Sequence, residues 1–396
     1  MKILVTGAKG FVGRNLCLTL EQMPDIEVLK YDLGDEPKLD GYVAECDFVM
    51  HLAGVNRPKD SAEFKTGNTV FTEDILEKLV ARQNPPPVLL SSSIQAALDN
   101  DYGKSKAAAE EAVRAYGEKT GAPVFVYRLA NIFGKWCRPN YNSAVATWCY
   151  NIAHDLPIMV RDPAATVTLV YIDDVVKSFI SRVECVGNLA AKDAERAKSA
   201  ESGGNGSMRP LRSLWQAEVL SVEPSYIKTL GEIVELIKSF HDEPSTLMVP
   251  DQQDGFTKKL YSTYLAALPE DKFSYPLTMH CDNRGSFTEA LHSAERGQVS
   301  VNVSKPGIAK GQHWHHTKHE KFLVVSGKGE INFRMADDPN AKIITYKVSG
   351  ERLEVVRIPP GYTHNIVNVG DTDMVTLMWA NEIFDPANPD TFRLEV

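Results

Sequence analysis

Residues Met1–Gly13 read MKILVTGAKGFVG, an apolar run, Lys2–Thr6, that passes directly into three glycines, Gly7, Gly10 and Gly13. The apolar residues of FVGRNLCLTLEQM then recur at helical spacing over Phe11–Met23, so the stretch is a strand, a tight turn and a helix. Glycines at that turn let the backbone approach a pyrophosphate, and the helix offers the anion its positive N-terminus. Asp32 ends the next apolar run, Glu27–Asp32, about 20 residues on, where a carboxylate holds a ribose hydroxyl in dinucleotide sites. A plain tight turn is the bland alternative, and Asp32 argues against it. Further short apolar runs at Asp47–Gly54, Pro87–Ser93 and Val124–Gly134 alternate with helical patterns. That alternation predicts parallel β-α-β units and a doubly wound α/β sheet of Rossmann type.

The chain has 396 residues, more than one ordinary core accommodates, which predicts two or three domains. Its 43% hydrophobic and 24% charged content is that of a soluble globular protein. A formal charge of -9 argues against nucleic acid as a partner. Six scattered cysteines without a C-x-x-C pair read as reduced thiols of a cytoplasmic protein. The sequence enters a strand at once, so no secretory leader is expected, and no run approaches ~18 apolar residues, so no spanning helix and no membrane partner are expected.

A second signal is DYGKSKAAAEEAV, in which Tyr102 and Lys106 stand four apart at the start of a helical pattern and share a face. An ammonium beside a phenol lowers the phenol pKa and makes it a usable proton donor and acceptor. Ser91, Ser92 and Ser93 end a strand upstream, at the sheet edge where ligands bind. Alone, the pair would be read as solvated side chains; behind a glycine loop and a strand of serines it reads as a site.

TGAKGFVG, HLAG (His51–Gly54), SSS, Y-x-x-x-K, RLANIFG (Arg128–Gly134) and VYIDDVV (Val170–Val176) together resemble the extended short-chain dehydrogenase/reductases that act on sugar nucleotides. The resemblance implies a nicotinamide cofactor held at Gly7, Lys9, Gly10, Phe11, Val12, Gly13, Asp32, Leu52, Ala53 and Gly54, with Tyr102 and Lys106. It implies Tyr102 as the acid, Lys106 as its partner, and Ser93 as the serine that orients the substrate oxygen, with Ser92 in reserve. Dehydratases of this branch carry an Asp-Glu pair after the hydroxyl residue; here Ile94 and Gln95 follow Ser93, which disfavours dehydration. Cofactor choice stays open. Asp32 suits the free ribose hydroxyls of NADH, whereas Lys9 and Arg14 suit the 2'-phosphate of NADPH.

The texture changes along the second half. Residues 190–213 are small, polar and charged with a Gly/Ser centre, by composition either a flexible insertion or a solvated helix followed by a loop. A helical pattern returns at Leu230–Phe240, and His241–Gly255 reads as a linker. After it come GQVSVNVS, KFLVVSG, GEINFRM, KIITYKVSG, LEVVRIPPG and DMVTLMWA, short strands between turns, which predict an all-β barrel or sandwich. The expected domains are residues 1–245 and 246–396.

KGQHWHHTKHEKFLVVSGKG (Lys310–Gly329) concentrates four histidines and a glutamate. His313 and His315 share a face if extended, Glu320 returns on the next strand, and His364 joins from a distant hairpin. Such donors suit a divalent transition metal. The stretch resembles the first cupin motif, and PPGYTHNIVN the second, which implies a jelly-roll barrel with His313, His315, Glu320 and His364 as metal ligands and His316 and His319 as spares. Zinc, iron, manganese and nickel all fit. NRGSFTEALHS with KGQHWH is also similar to the 3,5-epimerases of keto-deoxysugar nucleotides, whose histidine base would be His313; a ligand cannot also be a free base.

The two halves together resemble the bifunctional epimerase/reductases that supply UDP-N-acetyl-L-fucosamine precursors to capsule and O-antigen. That resemblance implies UDP-2-acetamido-2,6-dideoxy-β-L-arabino-hexos-4-ulose as substrate, NADPH as reductant with NADH as the alternative, a divalent metal, zinc first, and a homodimer. Two other readings stay open: a 4-epimerase that retains its NAD, and a cupin that only assembles the dimer.

Overall fold

The computed structural model describes all residues except Lys59, Ser61 and 202–217. Contacts divide it into two units, Met1–Ile237 with Ser262–Leu268, and Lys238–Tyr261 with Pro269–Val396.

The first unit is α/β. Its strands are β1 Lys2–Thr6, β2 Glu27–Tyr31, β3 Phe48–His51, β4 Val88–Ser93, β5 Val124–Leu129, β6 Asn131–Phe133, β7 Thr166–Tyr171, β8 Glu218–Leu220 and β9 Ser225–Thr229. Six form one parallel sheet in the order β2-β1-β3-β4-β5-β8. These strands read as continuous apolar runs because helices cover both faces. Leu4, Leu29, Val49, Leu90 and Val126 pack with Ile75, Leu79 and Val113 from the helices Phe71–Val80 and Asp101–Thr120. Each such side chain contributes about 1.5–3 kcal/mol when fully buried. The strand order reverses between β1 and β3, and the carboxyl ends of β1 to β4 carry Gly7, Asp32, Leu52 and Ser93 to one edge.

One expected strand is two. Val124–Gly134 breaks at Ala130, and β6 leaves for a second sheet with β7 and β9. Asn131 is exposed and donates to the Thr168 carbonyl at 3.2 Å, which turns the chain toward β7. Apolar periodicity does not distinguish one strand from two in line. The helix Ile172–Glu201 carries the backbone into the expected insertion, of which residues 202–217 lie outside the described ones.

The second unit is all-β, with β10 Met279–Asp282, β11 Gly285–Ser293, β12 Gly297–Ser304, β13 Ala309–Trp314, β14 Glu320–Ser326, β15 Lys328–Met335, β16 Ile344–Ser349, β17 Val355–Ile358, β18 Tyr362–Asn368, β19 Met374–Ala380 and β20 Phe392–Arg393. They form two antiparallel sheets, β10-β11-β12-β19-β14-β17 and β16-β15-β18-β13-β20. Phe322, Val324, Val356, Ile358 and Met374 from one sheet pack with Ile331, Phe333, Val348 and Ile366 from the other. The stretch expected as a linker belongs here. It forms a short helix, Glu243–Thr246, and its backbone pairs with β11 at His292 through Val249 N–H to His292 O at 2.9 Å and His292 N–H to Leu247 O at 2.7 Å. The backbone groups of His292 find partners that way, a requirement composition does not reveal.

Candidate active site and metal centre

In the first unit β1 turns at Gly7, whose φ of +69° lies in the left-handed region. Gly10 N–H donates to Gly7 O at 3.0 Å, and the helix Phe11–Leu20 follows. A Cβ on Gly13 would stand 2.1 Å from Gly7 O, and one on Gly7 would stand 2.9 Å from Ala53 N. The loop is therefore a cradle that no other residue type fits, which suits a dinucleotide pyrophosphate. Thr6 Oγ1 accepts N–H groups of Leu52 and Ala53 at 3.2 Å and lies 2.7 Å from His51 Nδ1. His51 Nε2 lies 2.9 Å from Thr72 Oγ1. Burial and then the Lys106 charge push the His51 pKa down to about 3, so the ring is neutral and fixes the β3 turn.

Asp32 does something the spacing did not reveal. One carboxylate oxygen accepts Lys9 N–H at 2.6 Å and the other Leu33 N–H at 2.9 Å, so it ties the glycine loop to the end of β2. Lys9 Nζ lies 3.6 Å from Asp35, and the Arg14 guanidinium sits 5.2 Å over the exposed Trp136 ring. Lys9, Arg14, Asp32 and Trp136 line one cleft of about 470 Å³.

Tyr102 and Lys106 stand on the helix Asp101–Thr120, capped by Asn100, whose Oδ1 accepts Gly103 N–H at 2.7 Å. Lys106 is buried, donates to Ser91 O at 3.2 Å and lies 6.0 Å from the Tyr102 ring centroid. A Cβ on Gly54 would come within 3.0 Å of Lys106 Nζ. Burial lowers the Lys106 pKa to about 8 against the opposing charge of Glu110. The phenol of Tyr102 departs from expectation. Its pKa is raised, because burial outweighs the hydrogen bond with Ser93, which lowers it. Ser93 Oγ accepts Gln95 N–H at 3.2 Å and keeps its own proton to donate. Ser92, the reserve, points elsewhere. It donates to Glu110 at 2.6 Å inside a buried group where Glu110 also accepts Arg128 at 2.8 Å and Arg114 at 3.0 Å.

Two supports of this site were missed. Glu110 lies four residues beyond Lys106, a spacing that was there to read. Asn68 gives no local signal: its amide holds Val55 N–H and O at 2.8 and 3.1 Å and Ser105 Oγ at 3.0 Å, which fixes Gly54 against Lys106.

In the second unit His313 on β13 pairs in register with His364 on β18, His315 follows β13, and Glu320 opens β14. Their ligating atoms all lie within 4.8 Å of one another. His315 and His364 Nε2 stand 3.5 and 3.4 Å from Glu320 Oε2, too far for good hydrogen bonds. Those three buried atoms and His364 Nδ1 lack a hydrogen-bond partner. Buried donors and acceptors without partners are costly, and three imidazoles with a carboxylate are a fitting set for a divalent metal. His315 Nδ1 bonds the Asp390 carbonyl, which only accepts, so Nδ1 carries the proton and Nε2 turns its lone pair to the cluster. Burial lowers the His313 pKa to about 4. Burial raises that of Glu320, but the two imidazoles beside it bring it well below the usual carboxylate range.

Asp390, which no motif marks, clamps the ligand loop. Its carboxylate accepts N–H groups of His316, Thr317 and Lys318 at 2.7 to 2.8 Å. The spare histidines stay out of the cluster: His316 packs on Trp314 and Phe392, and His319 on Trp379.

Residues 3–184 match the NAD dependent epimerase/dehydratase family, and residues 280–392 the polysaccharide biosynthesis C-terminal domain. The chain is 44% identical, over 100% of its length and 99% of the relative's, to a UDP-2-acetamido-2,6-beta-L-arabino-hexul-4-ose reductase of Pseudomonas aeruginosa. The crystal structure of capsular polysaccharide assembling protein CapF from Staphylococcus aureus superposes with a TM-score of 0.84 at 48% identity, covering 100% of both chains. UDP-glucuronic acid 4-epimerase from Bacillus cereus, at 17% identity, TM-score 0.52 and 67% of this chain against 98% of its own, shares the fold alone.

Proposed function

The chain belongs to the family of UDP-2-acetamido-2,6-beta-L-arabino-hexul-4-ose reductases, and from that premise we propose a two-step enzyme. Residues 246–396 invert C3 of UDP-2-acetamido-2,6-dideoxy-β-L-arabino-hexos-4-ulose. Residues 1–245 then reduce C4 to give the L-talo UDP-sugar, a precursor of UDP-N-acetyl-L-fucosamine. The observation that carries the reading is the meeting of Ser93, Tyr102 and Lys106 beside a glycine cradle, in a chain related along its whole length to a named reductase.

The order follows from the chemistry. A C4 ketone acidifies the C3 proton, so inversion precedes reduction. A reduced nicotinamide, when bound, would supply the hydride. Gly7, Gly10, Phe11, Val12 and Gly13 would hold its pyrophosphate, and Leu52, Ala53, Gly54 and Lys106 would complete its site. Ser93 donates to the ketone oxygen, and Tyr102 gives that oxygen its proton as C4 becomes tetrahedral. Burial suits this role, because a phenol with a raised pKa stays protonated until the ketone needs it. NADPH is the favoured reductant: Asp32 is engaged by the backbone, while Lys9 and Arg14 line the same cleft.

In the barrel His313, His315, Glu320 and His364 would hold a divalent cation, zinc by donor set, which supplies Lewis acidity when bound. A liganding histidine has no lone pair left, so the C3 base lies outside these four. The outer side of the six-stranded sheet leaves Val325, Val355 and Leu377 exposed, which supports a homodimer through this face. Six free cysteines and the absence, among the described residues, of a helix long and apolar enough to cross a membrane support a cytoplasmic enzyme.

The test is product mass after turnover of the 4-keto UDP-sugar with NADPH in heavy water, followed by return to ordinary water. Two added hydrogens plus one carbon-bound deuterium are expected. Reduction without deuterium leaves the barrel a structural module. Turnover without added nicotinamide replaces the reductase with the 4-epimerase reading.

A further inference from the structure

Arg57 lies in the loop after β3 and Arg138 in the loop after β6, both in the first unit. Their guanidinium carbons stand 5.8 and 5.1 Å from the ring centroid of one residue, Tyr141. Both arginines are exposed and the ring is half-buried. The ring's loop is fixed, since Asn140 N–H donates to Thr147 Oγ1 at 2.9 Å and Ser143 caps the helix Ala144–Ala153. Four other arginines of this unit are engaged by polar partners: Arg114 and Arg128 by Glu110, Arg82 by the Val43 and Cys46 carbonyls, Arg182 by the Tyr127 hydroxyl. Among the described residues, no carboxylate lies within ion-pair distance of Arg57 or Arg138.

The ring holds both guanidinium groups near one loop, and with no carboxylate partner their N–H groups are left to take an anion. Guanidinium forks match phosphate oxygens two by two. We propose that Arg57, Arg138 and Tyr141 form the diphosphate-binding part of the substrate site. Ligands of doubly wound sheets bind beyond the strand carboxyl ends, and both loops leave β3 and β6 at such ends. The glycine cradle after β1 already accounts for the cofactor's pyrophosphate, which leaves the diphosphate of the sugar nucleotide as the anion to be held. The inference rests on the sugar-nucleotide reading above and adds the residues that recognise the nucleotide end.

The test is calorimetric titration of the full chain with UDP, UMP and NADPH, for the native protein, Arg57→Ala, Arg138→Ala and Arg138→Lys. Melting curves confirm that each variant is folded. Each alanine variant is expected to bind UDP on the order of tenfold more weakly, with a smaller loss for UMP and none for NADPH. Arg138→Lys is expected to fall between, and the native affinity for UDP to decline with salt. Native affinity for UDP in both alanine variants overturns the proposal, as does a loss confined to NADPH, which would assign the pair to the cofactor. If the native protein binds UDP through these residues but reduces no 4-keto UDP-sugar, the clamp stands and the reductase reading falls. If it reduces the ketone and the variants bind UDP as well as it does, the reverse holds.

Discussion

The two candidate sites differ in how their polar atoms are satisfied. In the first unit His51 has a hydroxyl at each nitrogen, Ser92 and Arg128 share Glu110, and Asn68 uses both ends of its amide. In the second, three converging side chains keep buried atoms without partners. A satisfied site is stable as it stands and waits for a ligand that brings its own hydrogen bonds. A site with buried unpaired lone pairs is complete only with a cation. One half should therefore depend on its ligand for turnover alone, and the other for its folding as well.

The largest test of the first half is Tyr102→Phe. It should cut reduction by about 10²–10⁴-fold, the range of a positioned proton donor, while carbon-bound deuterium still enters C3. Simultaneous loss of both activities would mean the halves are not chemically separate. Next is removal of the metal. Chelation, or His364→Ala, should abolish C3 exchange and lower the melting temperature of the barrel. A metal present at 1,000 times its dissociation constant adds about 4 kcal/mol of stability. Unchanged melting and unchanged exchange would break the contrast drawn above.

A smaller effect is expected from pH. Lys106 loses its charge as pH rises through about 8, so reduction should decline above that point. In Lys106→Arg the basic limb should disappear at the cost of a lower plateau. Folding runs the opposite way. The pKa is lower folded than unfolded, so the stability linked to this group is complete above 10.5 and is lost as pH falls toward about 8. The mildest prediction separates neighbours. Ser93→Ala should lower kcat on the order of 10²-fold, the low end of a donor's share. Ser92→Ala should leave kcat near native and lower stability, because it uncouples a buried carboxylate. Equal kinetic losses would show that the two serines share one role.

Much of this was legible because local rules write it directly. Gly7, Gly10 and Gly13 follow an apolar strand, Tyr102 and Lys106 sit one helical turn apart, and His313 and His315 alternate near Glu320. What escaped reading depends on contacts distant in sequence. Asp32 was read as a ribose ligand, and its oxygens also bond the Lys9 and Leu33 backbone, a second task set by loop geometry. Tyr102 was expected to have a lowered pKa, but burial depends on the whole packed sheet and prevails over the hydrogen bond with Ser93. The break at Ala130 and the pairing of residues 247–249 with His292 reflect which sheet had an open edge.

Asp390 has a consequence in time. The ligand loop is clamped by a residue 75 positions beyond His315. At about 5–20 residues per second, synthesis leaves a gap of roughly 4–15 s between the two on the ribosome. During that interval His313, His315 and Glu320 have emerged while the clamp that orders their loop does not yet exist. Ordering of the ligand loop should therefore be a late event in the life of each chain, and a chain truncated before residue 390 should bind a divalent metal more weakly than the full chain.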